Sequence, residues 1–268
     1  MSPTTIPGKM TLAKEFTVQD YMWSFPQQYG LWSPADITTA LWLDASDEST
    51  ITASSGRISQ WSDKSGNSRN ATQATGAQQP KITTAAQNSR SVVEFDPVSS
   101  SFQRLSFSRL ANLGHVFFVA KKNDVDDSEV VLTDGSVTDL RGVLFGNLGS
   151  NFVVQQIAGS LSTATRNNWH VAEVRTDGTN ASLGIDATRT TSADADVMSS
   201  SDIGWYRNPN TSFVNQSSFR GQIGEIILCT TALSDSTRQK VEGYLAHKWG
   251  LTANLPSDHP YKLVGPTP

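Results

Sequence analysis

Short apolar or alternating segments recur from Ala40 onward, each too short for a helix of ordinary length. The run 40–44 reads Ala-Leu-Trp-Leu-Asp, and 57–61 alternates as Arg-Ile-Ser-Gln-Trp. Similar segments follow at 92–96, 103–107, 115–120, 130–132, 143–145, 151–154, 169–174, 181–186 and 221–228. A period of two places alternate side chains on opposite faces of a strand, so these segments predict strands. Turn residues separate them: Lys64-Ser65-Gly66-Asn67, Asp134-Gly135 and Asp177-Gly178-Thr179-Asn180. Many short strands with Gly, Asn and Asp turns predict an all-β protein, a sandwich of antiparallel strands or a jelly roll.

One segment carries the helical period instead. Val241, Tyr244, Leu245 and Trp249 form an apolar stripe. Ser234 stands where an N-cap belongs, Asp235 suits the positive end of the helix dipole, and Gly250 fits the position after the last turn. The helix is expected to cap one edge of the β body. Residues 1–34 differ from the rest, with aromatic residues interrupted by Pro3, Pro7, Pro26 and Pro34. They are expected to form an N-terminal arm that docks onto a neighbour through Phe16, Tyr21, Trp23 and Phe25. The β domain then spans 35–255, and the proline-containing stretch 256–268 is expected to be an irregular tail.

Composition narrows the classes. Only 17% of the 268 residues are charged, and Ser and Thr outnumber them. The net charge is −4 and no Lys/Arg run occurs, which argues against a nucleic-acid partner. The single Cys229 excludes an intrachain disulfide and a cysteine-rich zinc site, and its apolar neighbours predict a buried strand thiol. No segment approaches the ~20 apolar residues of a membrane helix, so no membrane insertion is expected. Residues 1–14 lack the continuous apolar stretch of a secretory leader, so synthesis in a host cytoplasm is expected.

The order of several motifs resembles laminin G-like domains of the concanavalin A-like lectin/glucanase superfamily. They are Leu41-Trp42-Leu43-Asp44-Ala45-Ser46-Asp47, Trp61-Ser62-Asp63-Lys64-Ser65-Gly66-Asn67, Asn70-Ala71-Thr72, and Val92-Val93-Glu94-Phe95-Asp96. Asn168-Trp169-His170-Val171-Ala172, Asp177-Gly178, and Phe219-Arg220-Gly221-Gln222-Ile223-Gly224-Glu225-Ile226 continue the series across residues 38–250. The resemblance implies a two-sheet antiparallel jelly-roll sandwich, concanavalin A-like, with one C-terminal capping helix. Its Trp-Leu-Asp-Ala-Ser start and Lys-Trp-Gly end are similar to modules of phage virion and bacterial surface proteins.

Within that superfamily the glucanases carry two catalytic glutamates on one strand. Here Glu94 and Asp96 share a strand face, but Val98 and Ser99 follow, so the second glutamate is missing and no enzyme is expected. Neither a Gly-x-Ser-x-Gly elbow nor a phosphate loop occurs. His170 reads as a strand residue. The densest acidic cluster, Asp124, Asp126, Asp127 and Glu129, is the candidate for a calcium ion, although it departs from the EF-hand spacing. A solvated acidic turn is the plainer reading. Trp205, Tyr206, Arg207 and Asn208 are the candidate glycan contacts, because sugars are held by aromatic faces and amide or guanidinium donors. The combined expectation is a non-enzymatic bacteriophage virion protein: head decoration, capsid fibre or tail adhesin. Its partners would be other virion proteins or copies of itself, with a host-surface glycan as ligand. The alternatives are a secreted or cell-surface carbohydrate-binding module and, behind it, a glycoside hydrolase.

Overall fold

The computed structural model describes residues 31–97, 102–123, 130–134, 142–147, 151–155, 160–161, 167–193, 198–205 and 219–268. Among them, seventeen strands follow one another. They are β1 (Leu41–Asp44), β2 (Ile51–Ser54), β3 (Arg57–Trp61), β4 (Ala71–Thr72), β5 (Lys81–Gln87), β6 (Arg90–Phe95), β7 (Leu105–Leu113), β8 (His115–Lys122) and β9 (Val130–Thr133). Then come β10 (Gly142–Asn147), β11 (Asn151–Gln155), β12 (Ser160–Leu161), β13 (Trp169–Thr176), β14 (Asn180–Ile185), β15 (Thr188–Ala193), β16 (Met198–Ile203) and β17 (Gly221–Cys229). One helix, α1 (Asp235–Lys248), follows β17.

All the strand pairs are antiparallel, and they form one continuous, curled sheet. Strand β17 is its axis. On one side it pairs with β6 through Gly221–Ile223 and with β1 through Glu225–Leu228, and on the other it pairs with β8 along its length. From there the ladder runs β8, β13, β14 and β15 in one direction and β6 to β5 in the other. A second row of strands runs β2, β3, β4, β7, β16, β9, β10, β11 and β12. The Arg57–Lys81 pair of β3 and β5 joins the two rows.

The central strands are buried on both faces, which explains their unbroken apolar sequence. In β8, Val116, Phe118 and Ala120 enter the core shared by both rows, while Phe117 and Val119 face the other way, under α1. Strand β17 would lose this alternation without its register shift between Ile223 and Glu225. The extra residue turns Ile223, Ile226 and Leu228 all to the inner core and leaves Glu225 on the helix side. Each fully buried large apolar side chain in this core contributes about 1.5–3 kcal/mol of transfer free energy.

Helix α1 starts where the sequence predicts. The Ser234 hydroxyl accepts from the Thr237 N–H at 3.3 Å, and Gly250 after the helix has φ +70°. The apolar stripe Val241, Tyr244, Leu245 and Trp249 lies on the sheet. The expected irregular tail packs over a second face of α1. His259 Nε2 lies 3.1 Å from Glu242, His247 Nε2 lies 2.8 Å from the Tyr261 carbonyl, and Tyr261 crosses at Gly243, where an added Cβ would sit 2.4 Å from its own. This covering helps to bury Glu242, whose carboxylate also pairs with the buried Arg238 at 2.5 Å.

Leu31, Trp32 and Ser33, counted with the arm by composition, are buried in the body. Trp32 packs edge-on against Tyr244, and its N–H donates to the Pro266 carbonyl. The docking candidates Phe16, Tyr21, Trp23 and Phe25 lie outside the described residues.

Candidate functional site

The motif residues that carry the resemblance converge on one buried polar cluster between sheet and helix. Glu225 is fully buried, yet four donors reach its carboxylate: Trp42 Nε1 at 2.7 Å, Tyr244 Oη at 3.0 Å, Lys248 Nζ at 2.8 Å and Trp249 Nε1 at 2.9 Å. Lys248 also lies 2.8 Å from Asp44 Oδ1 and donates to the Tyr244 hydroxyl. Lys64 completes the chain, 3.0 Å from Asp44 and 2.8 Å from Asp47, with its ammonium 4.7 Å from the Trp42 ring centre. Burial by itself would raise the Asp44 pKa, but Lys248 and Lys64 outweigh it and hold the carboxyl well below the usual range. Burial and the Glu225 charge push the Tyr244 phenol well above its ordinary value. These groups saturate one another. The cluster binds helix to sheet, and only its outer members, Lys64 and Asp47, reach solvent.

A second buried cluster joins β8, β13 and β15. His115 Nε2 lies 3.2 Å from Glu173, and the Leu233 N–H donates to His115 Nδ1. With Nδ1 accepting, the ring proton sits on Nε2, so neutral His115 donates to Glu173. Burial lowers the His115 pKa in agreement with that tautomer. Burial opposes ionisation of Glu173, but hydrogen bonding from His115 and the Arg189 charge, 2.5 Å away, lower its pKa. Gly184 makes room: a Cβ there would meet Glu173 Cγ at 2.4 Å. His170 stands in β13 with Nδ1 2.6 Å from Asp186, beside the Asp186 bond from the Val171 N–H. Cys229 is buried, and burial pushes its thiol up to about 12.

The candidate hydrolytic carboxylates, Glu94 and Asp96, each have their own partners. Glu94 accepts from the Thr83 hydroxyl at 2.5 Å and from Gln222 Nε2 at 3.2 Å. Asp96 pairs with Lys81 at 3.3 Å, and its own N–H donates to Gln103. Asp63 accepts from the N–H groups of Trp42, Ser65 and Arg69, tying down the Lys64–Asn67 turn.

Of the glycan candidates, Trp205 is described and is only 6% exposed. Phe102 stacks on its ring with centroids 4.6 Å apart and planes at 20°, and the Arg104 guanidinium lies 4.8 Å from the ring centre. Phe102 covers one face of the Trp205 ring, and Phe102 and Arg104 are the half-buried members of the group. Sequence reading missed both partners, because neither shares a motif with Trp205. Tyr206, Arg207 and Asn208 lie outside the described residues, as do Asp124, Asp126, Asp127 and Glu129. Among the described residues no group of three or more metal-ligating side chains assembles. No described helix is long and apolar enough to cross a membrane.

No family model matches the sequence, and no match was found among curated proteins. Solved structures do match in shape. A mutant GH54 α-L-arabinofuranosidase soaked with 4-nitrophenyl α-L-arabinofuranoside is similar over 81% of this chain and 60% of its own, with 13% identity and a TM-score of 0.51. A Trypanosoma rangeli sialidase in complex with sialic acid matches 85% of this chain and 38% of its own, with 11% identity and a TM-score of 0.46. A Ruminococcus gnavus sialidase CBM40 bound to α2,6 sialyllactose matches 47% of this chain and 81% of its own, with 13% identity and a TM-score of 0.37. At such identity the first likeness speaks to the fold alone: a mostly β, antiparallel architecture.

Proposed function

We propose that this chain is a non-enzymatic structural protein of a bacteriophage virion, a head decoration, capsid fibre or tail adhesin with a lectin-like fold. In this reading the curled sheet is a two-layer jelly roll of the laminin G-like, concanavalin A-like kind, with α1 as its cap. The observation that carries the proposal is what the motif residues do. Trp42, Asp44, Glu225, Lys248 and Trp249 spend their polar groups on one another. The motifs behind the resemblance thus build the fold, and function is left to surface and partners. The restraint of Glu94 by Thr83 and Gln222, and of Asp96 by Lys81, supports a binding role over glycoside cleavage, which needs two carboxylates flanking the sugar. Buried ion pairs serve a body that has no disulfide and must persist outside a cell. Docking through the arm residues Phe16, Tyr21, Trp23 and Phe25, and calcium at the Asp124–Glu129 cluster, belong to the same proposal.

The test is gold labelling of particles from the source with antibody against this chain. Label over the head or at the tail tips is the expected result, and the two positions separate decoration from adhesion. Protein free in the medium, with bare particles, overturns the virion setting in favour of a secreted carbohydrate-binding module. Release of reducing sugar from β-glucans, abolished by Glu94→Gln, overturns the non-enzymatic reading.

A further inference from the structure

Strands β1 and β17 set Asp44 directly opposite Glu225. Opposed residues of an antiparallel pair share a face, and like charges so placed repel. Both side chains are buried. Between them stands the ammonium of Lys248, the last residue of α1. It is buried too, with Nζ 2.8 Å from Asp44 Oδ1 and 2.8 Å from Glu225 Oε2. Its backbone is fixed from behind, because Asn88 Nδ2 and Arg90 Nε both donate to the Lys248 carbonyl. The Tyr244 and Trp249 rings flank the ammonium, with ring centres 5.3 Å and 5.6 Å away.

The two carboxylates are not equivalent. Glu225 is enclosed by donors, Trp42 and Tyr244 on Oε1 and Lys248 and Trp249 on Oε2. Asp44 has a cation at each oxygen, Lys248 at Oδ1 and Lys64 at Oδ2, and the Ser46 N–H and hydroxyl also donate to Oδ1. Negative charge developing on the Asp44 oxygens is therefore met by donors already in place. A nitrogen this close to a carboxyl oxygen is near the ~3–3.5 Å separation of reacting atoms, and pairs fixed so react as if at about 10⁵–10⁸ M. Burial keeps away the bulk water that would reverse a condensation.

We propose that Lys248 and Asp44 condense to an intramolecular amide, with Glu225 as the base. The Lys248 ammonium passes a proton to Glu225 across their 2.8 Å contact. Rotation about the Cε–Nζ bond turns the freed lone pair to Asp44 Cγ, and the N–C bond forms. Lys64 holds the charge on Oδ2. Oδ1 takes one proton from the nitrogen and one back from Glu225, the C–Oδ1 bond breaks, and water leaves. Ammonium and carboxylate become amide and water, so no oxidant or co-reactant is needed. Glu225 ends ionised and still held by Trp42, Tyr244 and Trp249. The two lysines keep Asp44 ionised in the unreacted chain. The neutral reacting form is thus the minor one, and the amide accumulates slowly from the ion pair after folding. The bond ties β1 to α1 in a chain whose single cysteine allows no intrachain disulfide.

The test is intact-mass spectrometry of the full wild-type chain, sampled at intervals after purification at neutral pH. The expected result is a growing species lighter by one water. Its digestion should yield a branched peptide joining the segments that hold Asp44 and Lys248. Lys248→Arg keeps a cation between the carboxylates and should stay at full mass. Glu225→Gln should slow the loss of water about a hundredfold or more, because the base is gone. Wild type that stays at full mass overturns the proposal, and this reading needs no variant to fold. Water lost within a linear peptide, the mark of a succinimide at an aspartate, overturns it as well. An undiminished rate in Glu225→Gln overturns the assignment of the base.

Discussion

Lys248→Met removes the cation that links Asp44 to Glu225 and leaves two carboxylates buried at the junction of α1, β1 and β17. Breaking a buried ion pair from one side costs about 3–5 kcal/mol, because the abandoned charge stays desolvated. The lower end applies here. Glu225 keeps three neutral donors in Trp42, Tyr244 and Trp249, and Asp44 keeps Lys64 and Ser46. A loss of about 3 kcal/mol corresponds to a fall in Tm of roughly 6 °C for a domain of this size. Calorimetry or circular-dichroism melting at pH 7 measures it, and adding Glu225→Gln should recover part of the loss by removing one stranded charge. The pH dependence supplies a second reading. The folded-state pKa of Asp44 is depressed, so its contribution is complete above the ordinary value of 3.8 and lost as pH falls through the lower folded value. Wild type should therefore lose stability steeply below about pH 4, and Lys248→Met less steeply. A Tm shift under about 2 °C, with an unchanged acid limb, would refute the claim that this cluster joins helix to sheet.

Two further outcomes follow from packing. Gly224→Ala places a Cβ 2.8 Å from the Trp249 ring and should cost about 1–3 kcal/mol by denaturant titration, because the ring is held by its bond to Glu225 and cannot retreat freely. Cys229 should be inert to a thiol reagent in the folded protein and react fully in denaturant; fast labelling of native protein would contradict its burial and its thiol pKa of about 12.

Hydrophobic periodicity marks the strands with dense apolar sequence, and α1 announces itself by its cap and stripe. It does not mark β2, β4, β5, β12, β15 or β16, which read as Ile-Thr-Ala-Ser, Ala-Thr, Lys-Ile-Thr-Thr-Ala-Ala-Gln, Ser-Leu, Thr-Arg-Thr-Thr-Ser-Ala and Met-Ser-Ser-Ser-Asp-Ile. Strands β2 and β5 lie at half-buried or exposed positions, where Thr and Ser satisfy the pleat without an apolar pattern. In the sequence the glycan candidates form a contiguous run, Trp205 to Asn208. Trp205 instead takes its neighbours from 102 and 104, about a hundred residues away in sequence.

What the sequence determined by itself is local and periodic: β character, the Ser234 cap, the turns held by Asp63 and Asp177, and a thiol buried among aliphatics. These depend on residues within a few positions of one another. The tertiary structure alone decided which charges meet. Glu225 inside an apolar strand looks like an error until Trp42, Tyr244, Lys248 and Trp249 arrive from elements as far as 183 residues away. Asp44 and Glu225 stand opposite each other only because register sets β1 against β17. Pairing across a sheet is fixed by long-range closure, which no local period encodes.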